Sequence, residues 1–323
     1  MAATVVKLSD SMSTIQSKLN KYDVIQFERG VYRITKQLIL NANQTINLNG
    51  STLQRKGNIQ SIFLNKVTKN TTKYNGAGNI TISNGVFEGM GGYSYDNLLT
   101  FFHSKNITIL GVTFRDTLCH AIEFNSCYNS AVRSCTFEGY NSQGPDYAFR
   151  EVIQIDHASA GGFFLSGSSK TSPCYDGTMC SNIRIENNLF TKSQYRGYPL
   201  ACIGEHTQLY GGAQHLGIYI IGNEFHCRRT DLKQACLSII EMKEVYIKNN
   251  KFDCDKVARI YSKAESYKTN GSKVTCQTGD GVNENVYITD NLISCDTGDA
   301  FTQYYKSGKK HTNITKKRNT FNV

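Results

Sequence analysis

The sequence predicts an all-β protein, a single-stranded right-handed parallel β-helix with a short capping helix at its N-terminus. Three observations carry this reading. First, a unit of the form Asn-Ile-Thr-Ile-x-x-x-x-Phe recurs, ending at Phe87, Phe114, Phe137, Phe190, Phe225, Phe252, Ile293 and Phe321. The intervals between these landmarks are 27, 23, 53, 35, 27, 41 and 28 residues, a base period in the twenties with insertions, as expected of solenoid coils. Second, each unit alternates apolar and polar residues, as in Ile183-Arg184-Ile185 and Val245-Tyr246-Ile247, which gives a strand one buried and one wet face. Third, side chains repeat in register. Asn stands two residues before the landmark at 188, 223, 250, 291 and 319, and Cys two residues after it at 227, 254 and 295. Stacked Asn amides suit a coil-to-coil hydrogen-bond ladder and tolerate the left-handed turn conformation. The thiols read as small inward hydrophobes.

In chain order, Ser13–Leu19 reads as a helix over the open end of the core. Asp23–Ile34, Leu38–Leu40 and Ile46–Leu48 read as the first strands. With only 3 prolines and no linker-like or charge-block segment, residues 1–323 are expected to form one domain. Its cap and first strands occupy 1–35 and its coils 36–323, with long loops at about 140–181 and 191–216. No Sec-type signal is visible, and no apolar run is long enough to cross a membrane. Eleven cysteines, an odd number without a C-x-x-C pair, argue against a disulfide framework or a zinc ribbon.

The segment from Ile15 to Leu53, continued by the repeats, resembles the opening of pectate-lyase-like β-helix proteins, including bacteriophage tailspike depolymerases. The resemblance covers essentially the whole chain and implies the fold first. It also implies extracellular action on a polysaccharide and, as in tailspikes, a homotrimer. That scaffold carries hydrolases, lyases, epimerases and adhesins, so the chemistry must come from the residues.

The longest interval, Phe137 to Phe190, holds an additional coil at 150–157. With Ile153 and Ile155 inward, Gln154 and Asp156 face out. Setting Ile122 under Ile153 puts Glu123 beneath Gln154 and Asn125 beneath Asp156. Setting Ile203 over Ile155 puts Glu205 over His157. An exposed polar patch of Glu123, Asn125, Gln154, Asp156, His157, Glu205 and His206 results, walled by loops near 140–149, 158–181 and 208–215. Asp156 and Glu205, with Glu123 in reserve, form a carboxyl pair for glycosidic hydrolysis. Alternatively, His157 or His206 serves as the base of a uronate lyase, with Arg150 or a cation such as Ca2+ neutralising the sugar carboxylate. Hydrolysis requires no cofactor, and no dedicated metal site is assigned. Gln154, Asn125, Arg150, Tyr195, Tyr198, Tyr210 and His215 are the expected substrate contacts. The net charge of +10 points to an acidic partner. Because the basic residues are scattered, an anionic polysaccharide fits better than nucleic acid. The expected function is depolymerisation of an anionic surface glycan, hydrolysis preferred to lysis, against a non-catalytic glycan-binding adhesin.

Overall fold

The computed structural model describes residues 2–89, 97–117, 119–140, 151–199, 201–228, 235–295, 300–305 and 309–322. Arg150, the loop at 141–149 and Leu200 lie outside them. The N-terminal helix spans Met12–Lys21; the Ser11 side chain accepts from the Thr14 backbone N–H as its N-cap. Its Ile15 and Leu19 close the end of the core. No helix of the described residues is long and apolar enough to cross a membrane.

Apart from an antiparallel pair, Glu265–Tyr267 with Lys273–Thr275, the remaining described elements are short strands in three ladders, paired in parallel from coil to coil. The first ladder runs from Ala3–Val6 to Thr312–Lys317, the second from Val31–Ile34 to Thr320–Asn322 and the third from Leu38–Leu40 to Phe301–Tyr304. Among the described residues the first two merge into a bent sheet of 19 strands, and the third forms a separate sheet of 9. Phe87, Phe114, Phe137, Phe190, Phe225 and Phe252 stack down the core with ring centroids 4.7–5.6 Å apart. Full burial of each is worth about 1.5–3 kcal/mol, and each stacked pair roughly 0.5–1.5 more.

The three corners of a coil are unequal. From Arg133 onward the corner between the first and second ladders is always two residues long. Its first residue adopts a left-handed φ of 53–67° at Ser134, Asn187, Gly222, Asn249, Asp290 and Arg318. Its second is the ladder residue: Cys135, then Asn188, Asn223, Asn250, Asn291 and Asn319. The ladder asparagines therefore are not the left-handed residues the sequence suggested; their predecessors are. Each ladder amide turns inward instead. Asn223 Nδ2, for example, donates to Ile185 O at 2.8 Å and to Asn250 Oδ1 at 3.1 Å. Insertions fall on the other two corners. The corner after the third ladder holds the long loops between Asp156 and Ser181 and between Tyr261 and Glu284. All eleven cysteines are free, nine of them buried, and Cys254 lies opposite Cys295 in register.

Candidate functional site

The third ladder supplies the floor of a cleft of about 1020 Å³, lined by Asn97, His120, Glu123, Gln154, His206 and Lys263 among others. Strand Ile122–Asn125 pairs with Glu151–Asp156 in the expected register, Glu123 opposite Gln154 and Asn125 opposite Asp156. The next strand is displaced by two residues from expectation: Ile203 lies opposite Ile153, not Ile155, and Gly204 opposite Gln154. This shift carries His206 back to Gln154 and Glu151.

The expected exposed patch is almost entirely buried, a correction with a clear cause. Asn125, Asp156, His157, Glu205 and His215 are fully buried, and Gln154 and Glu123 nearly so. Loop 157–180 lies over the coil surface, anchored by Phe163, Leu165, Cys174 and Tyr175 packed on Leu64 and Phe102. Gly162 passes so close to Asp156 that a Cβ there would sit 2.5 Å from Oδ2. Asp156 is thus roofed, and neither it nor Glu205 lines the cleft.

Two groups of polar residues result. The outer group faces the cleft. Glu151 Oε2 accepts from His206 Nδ1 at 2.9 Å. Burial alone would raise Glu151, but the bond and charge of His206 outweigh it and hold the carboxyl at about 2. With Nδ1 donating to Glu151, His206 turns Nε2 toward the Gln154 amide, 3.5 Å away. Its side chain is 25% exposed, and its ring stacks on His120. Glu123, by contrast, is pushed up to about 8 by burial, reinforced by the charge of Asp156. Its Oε2 accepts from Asn97 and Thr100 and its Oε1 from Asn125 Nδ2 at 3.5 Å. The cleft therefore sets an imidazole oriented by a carboxylate beside a carboxyl that keeps its proton to about pH 8, the kinds of group that acid–base chemistry uses.

The inner group lies beneath. His157 Nδ1 is 3.1 Å from both Asp156 Oδ1 and Glu205 Oε1. Burial works against the imidazolium, but the two carboxyls overcome it and raise His157 to about 9. Asp156 is correspondingly lowered despite burial, whereas burial pushes Glu205 well up. His157 is consequently not the free base of the sequence reading. His215, expected to touch substrate, accepts from the Cys180 N–H through Nδ1 at 2.9 Å and donates from Nε2 to Glu205 Oε2 at 3.0 Å. Among the described residues two groups of side chains bring ligand atoms together as a metal would require: Asp156, His157 and Glu205, and Cys202, Cys227 and Cys236. Burial keeps the Cys202 and Cys227 thiols, and bonds to neighbouring thiols the Cys236 thiol, well above their ordinary range.

Tyr195, Tyr198 and Tyr210 do not line the cleft; its aromatic side chains are Phe163, Phe164, Tyr261, Tyr267 and Tyr304. Two further residues escaped sequence reasoning. Glu151 falls at an inward phase of the alternation, where a carboxylate demands a partner. Lys263 follows the strand Lys256–Tyr261 and, with Lys273, brings basic groups to the cleft. Burial lowers the pKa of Lys263, opposed by Glu151, Glu205 and Asp156.

The three ladders and the long loops gathered along one of them define the chain as a right-handed parallel β-helix of the pectate-lyase-like fold. No family model matches the sequence. A stretch of 156 residues, 47% of this chain, is 29% identical to the plasmin and fibronectin-binding protein A of Streptococcus pneumoniae, of whose length it covers 20%. Among solved structures, the surface adhesin PfbA of that organism superimposes with a TM-score of 0.73 at 20% identity, over 99% of this chain and 80% of that one. A family 28 exopolygalacturonase of Yersinia enterocolitica gives 0.57 at 11% identity, over 96% and 66%. A tailspike protein of E. coli bacteriophage HK620 gives 0.56 at 14% identity, over 97% and 54%.

Proposed function

We propose that the protein cleaves an acidic polysaccharide in this cleft by β-elimination, with His206 as general base, Glu123 as general acid and Lys263 facing the sugar carboxylate. One observation carries this reading. The Glu151 carboxylate orients His206 through Nδ1 while Glu123 keeps its proton on the same side of the cleft, and the carboxyl pair needed for hydrolysis, Asp156 and Glu205, is roofed and tied to His157. In the reaction, His206 Nε2 takes the proton at C5 of a uronate. The electron pair forms the C4–C5 double bond, and the O4 leaving group departs with the proton of Glu123. Lys263 balances the charge that grows on the carboxylate. Glu151 is a positioning residue, holding the tautomer in which Nε2 is free. The polysaccharide-acting neighbours of the fold, a polygalacturonase and a tailspike, support the substrate class.

The test is product analysis on a panel of acidic polysaccharides. Absorbance of an unsaturated uronate should appear, and His206→Ala should lower the rate by about 10²–10⁴. New reducing ends without that absorbance would instead mean hydrolysis. A second reading, a non-catalytic adhesin, is favoured by the similarity to the pneumococcal surface adhesin. Retention of a glycan with no cleavage by any preparation would establish it over the first.

A further inference from the structure

We propose that the buried cluster of Asp156, His157 and Glu205 binds one divalent transition-metal ion of the Zn2+ type, behind the cleft and apart from its acid–base pair. The three ligand atoms lie within 4.8 Å of one another, with His157 Nδ1 3.1 Å from each carboxylate oxygen. Metal–ligand bonds of about 2.0–2.2 Å place neighbouring ligand atoms at such separations. The far oxygens are also arranged as around a metal. Asp156 Oδ2 accepts from Gln154 at 2.8 Å, and Glu205 Oε2 from His215, whose tautomer is fixed in turn by the Cys180 N–H. Outer hydrogen bonds of this kind orient ligating carboxylates.

An independent observation points to a polar ligand in the same place. Among the described residues six buried side-chain N or O atoms lack a hydrogen-bond partner. Two belong to this neighbourhood: Asn125 Oδ1 and Glu241 Oε1. Asn125 is the register partner of Asp156, and Glu241 receives the backbone N–H of His215 through its own carbonyl. Buried polar atoms seldom go unpaired, and an ion with a bound water would supply partners. The imidazole donor selects against Ca2+, which takes six to eight oxygens. On binding, the ion replaces the proton on His157 Nδ1, which is released to solvent, and the ring ligates as neutral imidazole.

The full chain, purified without chelator and incubated with Zn2+ or Co2+ at pH 8, should retain one ion per molecule after gel filtration. Its Tm should rise on loading and fall with a chelator. Glu205→Gln, nearly isosteric, should lower occupancy at least tenfold while keeping the β-sheet circular dichroism, and Gln154→Ala should lower it less. A Co2+ spectrum with d–d bands but no thiolate charge transfer is expected. Thiolate bands, which would place the ion at Cys202, Cys227 and Cys236, would overturn the assignment. So would absence of retained metal with His157 observed as imidazolium by nitrogen NMR. None of these readouts depends on activity.

Discussion

Glu123→Gln isolates the energetic consequence of keeping a carboxyl buried at the cleft floor. The group titrates near 8 in the folded protein against an ordinary value of 4.5. Between those pH values the folded chain holds one more proton than the unfolded chain, so stability falls as pH rises, by about 1.4 kcal/mol per unit. The whole interval of roughly 3.5 units amounts to about 5 kcal/mol, fully expressed above pH 8 and absent below 4.5. Gln carries no titrating proton and still accepts from Asn97, so the variant should lose this slope. For a chain of 323 residues the unfolding entropy is about 0.7 kcal/mol/K, which makes 5 kcal/mol equivalent to about 7 °C in Tm. Differential scanning fluorimetry at pH 4.5, 6, 7 and 8.5 therefore should show wild type and variant close together in acid. They should diverge with rising pH, the variant the more stable. Parallel Tm profiles would refute the claim that Glu123 is held protonated. The activity of wild type should fall as pH rises past about 8, where the acid is lost.

Two other substitutions probe the scaffold and the roof. Asn250→Ala removes the acceptor for the Asn223 N–H and the donor to Ile220 O and Asn291 Oδ1; it should cost about 3 kcal/mol, seen as a drop of about 4 °C in Tm. A loss below 1 °C would mean the ladder is decorative. Gly162→Ala drives a Cβ into Asp156 Oδ2, so the loop must lift, with a cost of about 1–3 kcal/mol and greater protease sensitivity between 157 and 180. Unchanged Tm and proteolysis would show that the roof is loose.

The coil architecture was legible because alternation and landmark spacing are local signals, repeated often enough to correct one another. The pairing of Ile122 with Ile153 followed directly from them. The pairing of Ile203 did not, since Ala201-Cys202-Ile203-Gly204 contains a single bulky apolar residue and either Ile153 or Ile155 could face it. Burial of Asp156 was out of reach for a different reason. Alternation tells which side of a strand a residue leaves, not whether a distant loop then covers it, and the cover here depends on Phe163 and Tyr175 finding Leu64 and Phe102. Lys263 reaches the cleft through stacking of coils whose lengths differ, which no periodic pattern encodes. Glu151 could have been noticed, because an acid at an inward phase breaks the pattern.

The inequality of the three corners has a consequence for how such a molecule can change. From Arg133 onward the two-residue corner, with its left-handed residue, acts as a spine whose length does not vary. The corners beside the third ladder are under no such constraint, and doubling a loop there costs only about 0.6 kcal/mol in closure entropy. New walls, and with them new ligands, can be grafted onto one side while the spine keeps every coil in register.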